Sequence, residues 1–209
     1  GFDKKDILSR VVYQVVNKEQ NAERLVSLPH KDFLDLAAIY KVVISEGEFG
    51  MTSITVNHQF CGMYGIDEKE IDSAARLNTE KRGFCIRSFE DVLAGLLAEV
   101  KHTHELPEEV SNGFHGRMMF VISSDTGING ASVLLYPDYL YSLAYKLGSD
   151  LYVLPSSIYE VIALPVGTMV PDELTELVAE VNSTCVDKQE VLGGNVYRCS
   201  LKDGNISIA

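Results

Sequence analysis

Apolar positions recur along the chain at two spacings, and turn residues mark where one gives way to the other. Residues 3–28 carry Ile7, Leu8, Val11, Val12, Val15 and Val16, which predict a helix with two apolar faces. Asn17 to Asn21 interrupt it, and Leu25, Val26 and Leu28 predict a second short helix before Pro29. A strand pair follows. Residues 36–44 are apolar, and residues 51–56 alternate, with Ile54 and Val56 on one face. Glu46, Gly47 and Glu48 suit the turn between them. Asp67 then fits an N-cap with Glu70 three residues on, a capping box, and Ile66 and Ile71 occupy the staple positions around it. That helix has the stripe Ile71, Ala74, Ala75 and Asn78. Another helix starts at Ser88, with Asp91 behind it and Phe89, Val92, Leu93, Leu96, Leu97 and Val100 at helical spacing. Residues 101–116 are polar and contain glycine, and read as a loop or a boundary.

The second half opens on another predicted strand pair, residues 118–122 and 131–136, turning through Asn129-Gly130. Pro137 starts a helix that Gly148 ends, with Leu140, Leu143, Ala144 and Leu147 facing the core. Residues 151–154 and 158–164 are two apolar runs and predict central strands buried on both faces, joined across Pro155-Ser156-Ser157. Pro171 opens a last helix, with Leu174, Leu177, Val178 and Val181 as its stripe. A hairpin of residues 196–201 and 205–208 turns at Asp203-Gly204.

Hairpins dominate, so the fold class expected is α+β: a mainly antiparallel sheet with helices on one face. Residues 38–66 and 118–148 share the order strand, turn, strand, helix, which suggests an internal ββα repeat. The expected organisation is a single α+β domain over 1–209, with pseudo-repeat halves 30–100 and 117–209. The start at Gly1-Phe2-Asp3 suggests the C-terminal part of a longer protein.

Composition narrows the function classes. At 46% hydrophobic and 23% charged, the chain reads as an ordinary globular protein. Thirty acidic residues against eighteen basic ones give a net charge of −12, which repels phosphate backbones and anionic membranes. The one basic cluster, Lys81-Arg82 with Arg87, reads as a solvated face. Nucleic-acid and membrane partners are therefore not expected. No apolar run approaches the roughly 18 residues of a membrane span. Cys61, Cys85, Cys185 and Cys199 lack metal-ligand or redox spacing and read as buried thiols of a reducing compartment, the cytoplasm.

Four residues stand out as candidate ligand contacts. Ser156 and Ser157 sit between two buried strands, without the Gly-x-Ser-x-Gly elbow that exposes a nucleophile. Their plainer reading is to satisfy backbone groups at a strand bend. Glu160 interrupts an apolar strand, and a carboxylate there must face water, a partner or a cleft. Asn78 lies on an apolar stripe, where its amide either caps the end of its helix or meets a ligand. His102, His104, Glu105 and His115 form the only histidine cluster, read as solvated loop residues. Tyr141 and Tyr145 share a helix face that lines a groove or a partner interface, or packs at the core edge. No metal, cofactor or catalytic residue is expected.

Several segments resemble a known family: Phe33-Leu34-Asp35-Leu36-Ala37, Ile54-Thr55-Val56-Asn57, Leu77-Asn78-Thr79, Asn129-Gly130-Ala131 with Leu135-Tyr136-Pro137, and above all residues 148–162. Together they resemble the bacterial domain-of-unknown-function family 5688 of gut anaerobes. The resemblance covers the chain from Phe2 to Ile208 and implies no activity, cofactor or catalytic residue. Members often have His where this chain has Tyr159 and Pro where it has Glu80, which argues against a Ser–His dyad here. The expectation is a cytoplasmic, non-enzymatic binding or protein-interaction domain for an unknown protein or small-molecule partner. The alternative is a hydrolase-like enzyme using Ser156 or Ser157 with Glu160 in a cleft.

Overall fold

Residues 11–17 hold valine at four of seven positions and form a strand, not the middle of a helix. Two branched methyls on Cβ cost rotamer freedom in a helix and pack well on a pleated surface. This strand, β1 (Val11–Asn17), is buried on both faces, so its apolar positions imitate a helical pattern. The helix expected over residues 3–28 is therefore three elements. Helix α1 (Lys4–Arg10) begins with a capping box between Asp3 and Asp6, β1 follows without a loop, and α2 (Ala22–Leu25) is a single turn. The computed structural model describes residues 2–47, 50–92 and 118–209. The loop expected over 101–116 and its histidine cluster lie outside the described residues.

Two antiparallel sheets organise the chain. In the first, β3 (Leu36–Gly47) is the spine. One edge pairs with β1, from Val11↔Val42 to Asn17↔Leu36. The other edge takes β2 (His30–Phe33) and then β4 (Gly50–Thr55) in tandem. Ile54 is exposed while Val56, just past the strand, is fully buried, so the two do not share the core side as the alternation predicted. On one face Tyr13, Ala38, Tyr40 and Val42 pack with Ile7, Ile71 and Ala75. These last belong to α1 and α4 (Glu68–Lys81), with α3 (His58–Tyr64) beside them. The capping box at Asp67 and Glu70 is present, and both staple isoleucines are buried. On the opposite face Val16, Ala37 and Ile39 pack on Leu25 and Leu28.

The second sheet has the order β10-β9-β7-β8-β6-β5. Its strands are β5 (Phe84–Ser88), β6 (Phe120–Ser124), β7 (Leu151–Ser157), β8 (Glu160–Pro165), β9 (Tyr197–Cys199) and β10 (Ile206–Ile208). As the apolar runs predicted, β7 and β8 are central and β7 is buried along its whole length. After β5 the Ser88 hydroxyl accepts the Asp91 N–H at 3.1 Å, and residues 89–92 are helical. Helix α5 (Pro137–Leu147) lies on one face, and α6 (Pro171–Cys185) puts Leu174 and Val178 on the other. Helices thus cover both faces of this sheet, where the sequence pattern suggested one.

Residues 130–135 are a 3-10 helix, not the second strand of a hairpin. A short apolar run does not distinguish the two by periodicity. Local geometry decides it. Asn129 is left-handed, and the Ser132 hydroxyl donates back to the Asn129 carbonyl at 2.7 Å. The order strand, turn, strand, helix is therefore not repeated. Sheet membership also does not follow the halves 30–100 and 117–209, since β5 joins the second sheet. The 3-10 helix wedges between the sheets: Val133 and Leu134 share one core with Val15 and Leu36.

Candidate functional site

The structure separates Asn78 from the other residues singled out by sequence. Helix α4 continues to Lys81, so Asn78 does not finish its own helix. Its Nδ2 donates to the carbonyls of Leu8 at 2.9 Å and Val11 at 2.8 Å. Those are end carbonyls of α1, which lack intrahelical partners. Asn78 thus caps a helix C-terminus, but that of the neighbouring helix.

Ser156, Ser157 and Glu160 gather at the β7–β8 hairpin, where Ser157 pairs with Glu160. The serines are 3% and 5% exposed. The Ser157 hydroxyl accepts the Tyr159 N–H at 3.2 Å, finishing the turn. Glu160 also pairs with Ser123 across the sheet, and burial pushes its carboxyl above the ordinary range while Arg87 opposes the shift. A nucleophilic serine needs an accessible hydroxyl with a base in reach, and these buried hydroxyls do not offer one.

Among the described residues a cleft forms where the two sheets meet. It encloses about 530 Å³ between β1, β2, α4, the 3-10 helix and the β9–β10 hairpin. Lys31, Arg76 and Asp203 supply charge, and Phe33, Leu135 and Ile206 supply apolar wall. The hairpin wall approaches α5 closely at Gly204, which has φ +71°. A Cβ there would stand 3.3 Å from Tyr141. Tyr141 therefore packs beneath the hairpin, while Tyr145 is exposed.

Hydrogen bonding fixes the charges at the α4 side. The Asp72 carboxylate accepts the Tyr13 hydroxyl at 2.6 Å and the Tyr40 hydroxyl at 3.1 Å on the same oxygen, Oδ1. Its other oxygen faces Lys31 Nζ at 3.7 Å. Burial and the neighbouring carboxylate push both tyrosines up, so they remain neutral donors. One turn along α4, the Arg76 guanidinium lies 5.3 Å from the centre of the Tyr136 ring. On the hairpin, Asp203 accepts the Asn205 N–H at 3.1 Å, and this bond holds its carboxyl below the usual range.

None of the four residues picked from sequence lines this cleft. The cleft draws on five separate stretches of chain, and no local spacing announces it. Among the described residues no group of three or more His, Cys, Asp or Glu could hold a metal ion. No helix among them is long and apolar enough to cross a membrane.

A family model described as a family of unknown function, DUF5688, matches residues 2–200. The chain belongs to the DUF5688 family. The match covers both sheets as far as β9, so the cleft's walls, apart from the tip of the hairpin and β10, lie in the DUF5688 region. No curated protein and no solved structure matches the chain.

Proposed function

We propose that this DUF5688 protein is a cytoplasmic, non-enzymatic binding domain that holds a small molecule in the cleft between its two sheets. The observation that carries this reading is the cleft itself. At about 530 Å³ it falls within the range of roughly 300–1,000 Å³ typical of ligand pockets. A few charged groups converge on apolar walls there, the usual composition of a recognition site. Cys61, Cys85 and Cys199 are free thiols, which fits a reducing compartment.

A chemically mixed fragment library, screened by two-dimensional NMR against the whole chain, tests the reading. Hits should shift the amides of Lys31, Arg76 and Gly204, and Ile206→Trp, which fills the cleft from an edge strand, should abolish them. A screen whose hits all map elsewhere, or that yields none, overturns it.

A further inference from the structure

We infer that the cleft recognises a small oxyanion, a carboxylate or phosphate monoester carrying an apolar body, with Arg76 and Lys31 on its charged head. This inference rests on the cleft being the binding site. Arg76 is the first reason. Its guanidinium lies over the Tyr136 ring, 5.3 Å from the centre, and among the described residues no carboxylate pairs with it. An unpaired guanidinium offers two parallel N–H donors that match an oxyanion.

Lys31 is the second. Its 3.7 Å contact with Asp72 is loose, and Asp72 already accepts two tyrosine hydroxyls on its other oxygen. The carboxylate therefore stays hydrogen-bonded when the ammonium turns towards a ligand. The third reason is polarity along the cleft. Asp203 sits ionised on the hairpin wall and repels an anionic head from that side. Phe33, Leu135 and Ile206 accept the apolar part. The net charge of −12 disfavours a polyanion and leaves a small, compact one.

The test is calorimetric titration of the whole chain with 3-phenylpropanoate, phenyl phosphate and the neutral 3-phenylpropanamide. At least one acid should bind about tenfold tighter than the amide, and added salt should weaken only the acids. The stronger acid tells a carboxylate from a phosphate ligand. Arg76→Gln should remove most of that preference and Lys31→Gln part of it. Both variants should keep the near-ultraviolet circular dichroism of the folded parent, which separates lost recognition from lost folding. Should the acids and the amide bind alike in the cleft, or Arg76→Gln spare the preference, the oxyanion assignment fails while the cleft reading stands. Absence of binding by all three probes also overturns the assignment, and the fragment screen then decides the cleft reading independently.

Discussion

The Tyr13 hydroxyl donates to the Asp72 carboxylate at 2.6 Å, tying the first strand to α4 on the floor of the cleft. The bond joins two residues 59 positions apart in the chain. Tyr13 packs on Tyr40 with ring centres 5.7 Å apart, and both rings direct their hydroxyls to one carboxylate oxygen.

Alkaline pH should unfold the protein through its tyrosines. Tyr13, Tyr40 and Tyr197 are pushed up, chiefly by burial and then by Asp72 or Asp35, and burial raises Tyr136 to about 12. The unfolded chain releases these protons near pH 10 and the folded chain holds them. Their stabilisation is thus complete below pH 10 and is lost as pH rises from there towards the folded values. Each buried tyrosine adds a slope of up to about 1.4 kcal/mol per pH unit. Urea melts between pH 7 and 12 should be flat at first and then fall, with phenolate absorbance rising alongside unfolding. Tyr13→Phe should flatten the fall and lower stability at pH 7 by about 1–3 kcal/mol, since it removes a bond to a charged acceptor.

Replacing Asn78 should loosen α1 from α4. Its amide is the donor to two helix-end carbonyls, Leu8 and Val11. Asn78→Leu keeps the volume and leaves both acceptors without that donor, at a cost of about 2 kcal/mol. Asn78→Asp should cost more, because a carboxylate then faces two carbonyl oxygens. Denaturant midpoints check the order, and hydrogen exchange should show faster opening in residues 4–12 before the rest of the chain. An unchanged midpoint for Asn78→Leu would show that water replaces the amide.

Features set by neighbours in sequence are legible, and features set by distant neighbours are not. The capping box at Asp67 and Glu70 spans three residues, and Pro137 and Gly148 bracket α5 by their own backbone preferences. The Val11–Asn17 strand reads as helix because burial on both faces erases alternation. The role of Asn78 depends on carbonyls 67 and 70 residues away. Nothing local to Lys31, Arg76 or Gly204 marks them as neighbours. They meet because the 3-10 helix and the last hairpin fold against α4.

Gly130 should be irreplaceable for steric reasons. A Cβ there would lie 2.1 Å from the Tyr159 carbonyl oxygen, 2.6 Å from the Ser124 nitrogen and 2.7 Å from the Ser123 Cα. All three are backbone atoms, so no rotamer change relieves the clash. Gly130→Ala must push the 3-10 helix off the β6–β8 pair, and a loss above about 3 kcal/mol is expected. Gly62 is the control. It lies inside α3, and a Cβ added to it would meet nothing within 4 Å. Gly62→Ala should stabilise by about 0.5–1 kcal/mol. Thermal melts of the two variants should move in opposite directions.

Glu160→Gln should stabilise the protein at neutral pH, and the gain should vanish in acid. Burial raises the Glu160 carboxyl, so the folded state disfavours its charge, and Arg87 offsets only part of that cost. Relative to the unfolded chain, the raised value gives stability that is complete below the ordinary carboxyl range. That stability is lost as pH rises through the folded value. Glutamine has the same shape and no charge to desolvate, so it escapes the loss above that value and gains nothing below it. Melting temperatures of both forms should diverge from pH 4 to pH 7, with the variant higher at pH 7. Arg87→Gln should act in the opposite sense, lowering stability at pH 7 in the parent but not in Glu160→Gln. If Glu160→Gln instead destabilises at pH 7, the carboxylate has an ionic role at the β7–β8 hairpin that outweighs its burial, and the hairpin becomes the place to look for a second binding surface.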